Sequence, residues 1–160
     1  MNGFLKAVLK TNETMQVIAG VALTFIILLT TIDVVLRAFG RPVSGVYEIV
    51  AMAGGIVIGF GVPLTSWKRG HIYVDFLIQK LPAGKRDAVN IITRCIGIAL
   101  FLMIGWNVLR IAGSFLIEGE VSPTLQIPFY PIAYGVGFSF FMLSLVLVCD
   151  IVKIVGGDYE

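Results

Sequence analysis

The apolar residues of this chain fall into long stretches that contain no charged side chain. Four such stretches occur: Thr14 to Ile32, Ile49 to Trp67, Cys95 to Leu109 and Val121 to Cys149. About 20 apolar residues in a helix cross the roughly 30 Å hydrocarbon core of a bilayer. The first two stretches have this length, and the fourth has it if its helix begins at Pro128 or Pro131, because proline fits a first turn. The third reaches it by including Arg94 or Arg110, since an arginine stem can lie along lipid while its head reaches the interface.

The pattern therefore predicts an all-α integral membrane protein, with four transmembrane helices in a single domain that covers residues 1–160. The predicted spans are residues 14–36, 47–67, 88–110 and 129–152. A large soluble protein can hide such helices in its core, but 160 residues cannot supply the surface that would cover them. Composition agrees, because 58% of the residues are apolar and only 14% are charged.

Positive charges are distributed unequally between the two sides of this predicted topology. The side of both termini and the middle loop carries nine: Lys6, Lys10, Lys68, Arg69, Lys80, Lys85, Arg86, Arg94 and Lys153. The opposite side carries three: Arg37, Arg41 and Arg110. The positive-inside rule then predicts cytoplasmic termini in a bacterial inner membrane. The net charge of +2 reflects this asymmetry and gives no indication of nucleic-acid binding.

The middle loop contains a second pattern, which predicts a short amphipathic helix over residues 70–81 at the cytoplasmic interface. At helical spacing the polar side chains form one stripe: His71, Asp75 and Gln79. The apolar side chains gather on another face: Ile72, Phe76, Leu77 and Leu81. A helix divided in this way and flanked by cations lies in the membrane interface and contacts lipid. We interpret His71, the single histidine, as a polar-face residue, because no second ligand or nucleophile accompanies it.

Charged residues also mark the turn between the first two spans. Asp33 and Arg37 are four residues apart and are expected to pair on one helix face. Glu48 begins the second span, with Arg37 and Arg41 across a turn that contains Pro42 and Gly45. Spans one and two are therefore predicted to form an antiparallel hairpin.

Small residues recur every four positions in the second span, at Ala51, Gly55 and Gly59. This spacing allows another helix to approach closely, which is a main source of helix association in lipid. The pattern fits a partner protein and packing within the chain equally well.

No predicted span carries an ionisable residue near its middle, a polar stripe typical of a pore, or a break at the membrane midplane. Cys95 and Cys149 lie near the cytoplasmic ends of their spans, and no Cys/His ligand spacing is present. We therefore expect neither catalysis nor a bound cofactor or metal, and a role in holding a partner that carries the solute.

These features resemble the small membrane subunit of tripartite ATP-independent periplasmic (TRAP) transporters, the DctQ-like family. The resemblance covers nearly the whole chain and includes Arg37 at the end of span one and Glu48 at the start of span two. The segment "RGHIYVDFLIQKLP", with Gly70 and His71, and the segment "TLQIPFYP" before the last span are also similar to the family.

The resemblance implies a system of three parts. A soluble, DctP-like periplasmic protein captures an organic anion, such as a carboxylate or sulfonate, and a large DctM-like subunit carries it by a sodium-coupled elevator movement. The small subunit braces the large one, so sodium and substrate sites are expected in the partner, which would also determine the anion. On the outer face, Arg41, Glu118 and Glu120 lie where the periplasmic protein would dock.

Two other functions remain open at the level of sequence. The first is a self-sufficient small transporter or channel that works as a homo-oligomer, although Asp33 and Glu48 lie too near the surface to couple transport to protons. The second is a membrane enzyme or cytochrome subunit, which would need paired histidines or catalytic carboxylates in a shared pocket.

Overall fold

The computed structural model describes residues 3–68 and 83–155, without the side chains of residues 83–87, 153 and 155. The predicted interface helix over residues 70–81 lies outside the described residues. So do the residues assigned to it or to the family motif beside it: Gly70, His71, Ile72, Phe76, Leu77 and Leu81.

Four helices account for most of the described chain: α1 (Gly3–Ala38), α2 (Val46–Trp67), α3 (Ala83–Glu118) and α4 (Tyr130–Val155). Each is long and apolar enough to cross a membrane, which confirms the predicted all-helical membrane fold with four spans. Helices α1 and α3 have 36 residues each, or about 54 Å at 1.5 Å per residue, and exceed the bilayer core. The uncharged stretches of the sequence predicted only the part of each helix that lies in lipid. Both α1 and α3 extend beyond that part into residues that include polar side chains.

The helices form a row in the order α1, α2, α4, α3. Helix α1 packs mainly on α2, α2 also packs on α4, and α4 packs on α3, whereas α1 touches α4 only slightly. In the apolar windows of α1 and α3 only 11% of the residues are buried, against 44% in α4. Helix α4 is the more buried of the two inner helices, and we call it the central helix, while α1 and α3 lie at the two ends of the row.

The start of α1 and the end of α4 lie at one end of the bundle, which we call the terminal end. The α1–α2 turn and the α3–α4 loop lie at the opposite end, which we call the turn end. Near the terminal end a buried cluster joins α1 to α4: Val8, Met15, Met142, Val146 and Cys149. Phe60 and Trp67 of α2 pack against this cluster.

Glycines set the close contacts of α4 with its two neighbours. A Cβ atom added at Gly59 of α2 would lie 3.1 Å from a methyl carbon of Val136. One added at Gly137 of α4 would lie 2.6 Å from a methyl carbon of Leu109 on α3. Because lipid tails are as apolar as the side chains, close van der Waals packing of this kind stabilises helix pairs in a membrane.

Threonine hydroxyls within the predicted lipid region of α1 bond to their own helix. Thr24 donates to the carbonyl oxygen of Gly20 at 2.9 Å, and Thr31 donates to that of Ile27 at 2.7 Å. A polar group in hydrocarbon is costly unless it has a partner. These internal bonds explain how α1 tolerates threonine on lipid-facing surface.

Candidate functional site

At the turn end, the buried carboxylate of Asp33 closes the α1–α2 turn. One oxygen accepts a hydrogen bond from the guanidinium of Arg37 at 2.7 Å, so the predicted Asp33–Arg37 pair is present. The other oxygen accepts one from the backbone N–H of Val43 at 2.9 Å, ten residues along the chain. The pair thus fixes the path of the turn as well as the end of α1.

The carboxylate of Glu48, in the first turn of α2, binds the loop that joins α3 to α4. Its two oxygens accept hydrogen bonds from the backbone N–H groups of Thr124, at 2.8 Å, and Leu125, at 3.0 Å. The sequence suggested Arg37 and Arg41 as its neighbours, but Arg37 pairs with Asp33 and lies over the ring of Tyr47. Glu48 therefore connects the first hairpin to the second instead of balancing charge within the first.

The α3–α4 loop is shaped to present these two N–H groups. The N–H of Ser122 donates to the carbonyl of Ile127 at 2.9 Å, and the buried hydroxyl of Ser122 accepts from the N–H of Ile127 at 3.2 Å. Gln126 has a φ of 54°, in the left-handed region that is unfavourable for a residue with a side chain. The loop therefore has a defined conformation that Glu48 secures, and we call the set of Asp33, Arg37, Glu48 and this loop the turn clasp.

Gly45 gives the loop room to sit against the start of α2. Its φ is 78°, and a Cβ atom added there would lie 2.5 Å from Cγ of Leu125. Both the backbone conformation and the close approach therefore require glycine. The contact puts Leu125 directly on the turn that precedes Glu48.

Near the terminal end, buried polar residues from all four helices form what we call the polar layer: Asn12, Ser66, Arg94 and Asp150. Arg94 of α3 and Asp150 of α4 form an ion pair at 3.6 Å, with side chains only 5% and 2% exposed. The guanidinium of Arg94 also donates to the carbonyl of Asn90 at 3.3 Å. No described residue hydrogen-bonds to the buried amide of Asn12. The ion pair joins α3 to the central helix at the end opposite the turn clasp.

The ion pair differs from what the sequence suggested for Arg94. We expected its side chain to extend along lipid to the interface, whereas it turns inward to Asp150, a residue for which no role was predicted. The available signal was that α3 and α4 are antiparallel and carry opposite charges near the same end. Pairing satisfies both charges inside the protein, where an unpaired charge would be costly.

The predicted partner-packing residues do not all face the same surroundings. Gly55 and Gly59 face α4 of the same chain, where added Cβ atoms would meet Ile132 and Val136, while Ala51 is exposed. The sequence left open whether these small residues pack against a partner protein or within the chain. Both glycines pack within the chain. The predicted docking residues Arg41, Glu118 and Glu120 are exposed at the turn end. The α1–α2 turn, which contains Arg41, and the α3–α4 loop, which contains Glu120, are held near each other by the hydrogen bond from Thr124 to Glu48.

Replacing Glu48 by glutamine should destabilise the protein by about 1–3 kcal/mol. The amide keeps one acceptor oxygen but turns an NH₂ group toward the second backbone N–H, so that two donors face each other. Thermal unfolding in detergent, followed by circular dichroism, measures the effect. Glu118→Gln, at an exposed position of the same end, is the control, and equal melting temperatures for the two variants would refute the clasp.

Arg94→Met should destabilise the protein by about 3–5 kcal/mol, because it leaves the buried Asp150 without its ion-pair partner. The double variant Arg94→Met/Asp150→Leu should recover most of this loss, since it removes both buried charges together. Arg110→Met, a change at an exposed cation near the other end of α3, is the control. A double variant no more stable than the single one would show that the ion pair is not the source of the effect.

Among the described residues, no group of three or more side chains is arranged to hold a metal ion. Glu48 of the turn clasp and the Arg94–Asp150 pair of the polar layer instead make contacts between elements of the fold. The candidate site is therefore a structural arrangement with exposed faces on α1 and α3.

The chain matches the family described as "Tripartite ATP-independent periplasmic transporters, DctQ component" over residues 26–157. No curated protein and no solved structure matches it. The match covers all of α2, α3 and α4 and the C-terminal third of α1, and it confirms the resemblance inferred from the sequence. This multi-pass membrane protein belongs to the DctQ component family of the tripartite ATP-independent periplasmic transporters.

Proposed function

We propose that the chain is the small, non-catalytic membrane subunit of a sodium-coupled TRAP transporter for organic anions, and that it braces the large subunit. The family match over residues 26–157 is the observation that carries this proposal. The partners would be a large DctM-like membrane subunit and a DctP-like periplasmic binding protein. Sodium and substrate would bind to the partner subunits, and both termini would face the cytoplasm of a bacterial inner membrane.

Polar contacts at the turn end and near the terminal end of the bundle support a bracing role. At the turn end Glu48 fastens the first hairpin to the α3–α4 loop, and near the terminal end Arg94 and Asp150 fasten α3 to α4. A part that must stay still while another subunit moves needs helices that do not slide past each other. Ties at two levels of the membrane oppose both sliding and tilting.

The end positions of α1 and α3 also support this role. Their apolar windows are mostly unburied within the chain, and exposed apolar side chains continue along both helices, such as Val17 and Val21 of α1 and Ile96 and Met103 of α3. These faces provide surface for lipid and for a larger membrane protein. Among the described residues the ionisable side chains of the helices lie toward helix ends, which favours a bracing subunit over a path for solute.

Reconstitution of the full-length chain tests the proposal. The chain is tagged and co-expressed with a large DctM-like membrane subunit, and uptake of radiolabelled C4-dicarboxylate and sialic acid is measured in vesicles with an inward sodium gradient. We expect co-purification of the large subunit, and uptake only when both membrane subunits and the periplasmic protein are present. Flux through vesicles that contain this chain alone would overturn the proposal and favour a self-sufficient transporter.

The double charge reversal Glu118→Lys/Glu120→Lys should slow delivery from the periplasmic protein by about threefold to tenfold at low salt, and by less at high salt. Both residues are exposed at the turn end, so the yield of the membrane complex should not change. Glu13→Lys, an exposed charge reversal near the terminal end, is the control. Identical uptake kinetics for the reversal and the control would remove the docking role.

A further inference from the structure

Helix α3 presents a line of exposed side chains on the side opposite α4. Its contact side is identified by Gly105, where an added Cβ atom would lie 3.2 Å from Cβ of Phe140, and by Ala112, which is fully buried. On the other side of the helix lie four exposed residues, which we call the outer α3 stripe: Met103, Asn107, Arg110 and Ser114. They follow one another at intervals of four, three and four residues, the spacing at which one helix packs along another.

Arg110 lies within the apolar part of α3. The sequence analysis placed it at the end of the third span, whereas α3 continues to Glu118. The seven residues between them, 111–117, carry no charge, and Ile117 is 87% exposed. At 1.5 Å per residue, Arg110 is about 12 Å short of the end of the helix. Its side chain therefore leaves α3 at a level where the surroundings are hydrocarbon or another membrane protein.

The guanidinium of Arg110 points away from the membrane surface at the turn end. Its central carbon lies 5.7 Å from the centre of the Trp106 ring, one turn closer to the terminal end. Side chains of a helix point toward its N-terminus, which for α3 is at the terminal end. In this conformation the guanidinium does not approach the lipid phosphates of the turn end. The aromatic ring attracts the cation but does not neutralise its charge.

The part of the chain that the structure describes supplies no counter-charge for Arg110. Neither ion pair between described residues includes it. The polar side chains beside it bond to α3 itself. Asn107 donates to the carbonyl oxygen of Met103 at 2.8 Å, and the hydroxyl of Ser114 donates to a carbonyl oxygen one turn earlier, at 3.4 Å. An ionised side chain among apolar residues is costly and is normally paired. Arg110 therefore requires an acidic partner from another molecule.

A second copy of this chain does not meet that requirement. Two copies that packed through the same stripe, related by a two-fold axis along the membrane normal, would bring their Arg110 side chains toward each other. Like charges repel, most strongly where water is absent. The complementary surface therefore belongs to a different membrane protein.

We propose that the outer α3 stripe docks a transmembrane helix of the large subunit, and that this helix presents an aspartate or glutamate to Arg110. The inference rests on the proposed function and names the face through which the chain holds its membrane partner. Complementary charge fixes which helix docks and in which register. Asn107 and Ser114, about one turn to either side of Arg110, add polar groups that can bond across the same helix pair.

Removal of the charge tests the ion pair in the assembled complex. The full-length chain is tagged and co-expressed with a large DctM-like subunit, and the amount of large subunit retained on the tag in detergent is measured. Arg110→Leu should lower retention about tenfold, because the acid on the docked helix loses its counter-charge. Arg41→Leu, which removes an exposed arginine from the α1–α2 turn, is the control and should retain the large subunit. Equal retention by the two variants would overturn the ion pair.

Two comparisons separate this inference from a folding defect and from a failure of the proposed function. The isolated Arg110→Leu chain should melt at the temperature of the unaltered chain, because the partner of Arg110 lies on another protein. A lower melting temperature would overturn the assignment of Arg110 to the interface. An unaltered chain that retains no large subunit would refute the proposed function together with this inference, whereas full retention by Arg110→Leu would refute this inference alone.

Photo-cross-linking identifies the molecule that covers the stripe while Arg110 stays intact. A benzoylphenylalanine replaces Met103 in the co-expressed complex, and the cross-linked peptide is identified by mass spectrometry. We expect a transmembrane helix of the large subunit that contains an aspartate or glutamate within about two turns, or 11 Å, of the labelled residue. Cross-links to lipid only, to a second copy of this chain, or to a helix without such an acid would overturn the proposal.

Discussion

The absence of water from the bilayer core is the constraint on which this structure depends. Every polar group that enters hydrocarbon must find its partner within the protein. Helix formation gives the backbone N–H and C=O groups their hydrogen-bond partners. The hydroxyls of Thr24 and Thr31 donate hydrogen bonds to carbonyl oxygens one turn earlier. A buried charge is also stable only where a specific partner is present. The few charged groups buried within the helices therefore form pairs that hold two parts of the fold together. Asp33 has Arg37 and the Val43 N–H, and Arg94 has Asp150.

Apolar surface cannot by itself hold these helices together, because lipid solvates it as well as a neighbouring helix does. Specificity must come from close packing and from polar contacts. Glycines provide the first where Gly59 and Gly137 allow close approach to Val136 and Leu109. The turn clasp and the Arg94–Asp150 pair provide the polar contacts, at opposite ends of the bundle. The order α1, α2, α4, α3 follows from where these contacts occur.

The sequence predicted those features that depend on one helix and its solvent. Uncharged length identified four spans, and spacing within one helix identified the Asp33–Arg37 pair. It did not predict the partners of Glu48 or Arg94, because those contacts depend on how each helix is rotated and which helix lies beside it. Hydropathy is similar all round these helices and carries little information about rotation. Glu48 was also ambiguous because its partners are backbone N–H groups, which every loop contains and only the folded loop brings together.

A row of helices differs from a square bundle in what it offers to other molecules. A square bundle buries one face of every helix equally, whereas a row buries its central helices and leaves its end helices broadly open, as in α4 compared with α1 and α3. In such an arrangement each end helix packs on one neighbour, and a polar contact adds to that packing. Arg94 fastens α3, and Asp33, through the turn that leads into α2, fastens α1. In the proposed bracing role, the exposed faces of α1 and α3 contact the large subunit. The polar contacts keep these two helices in place while the large subunit moves.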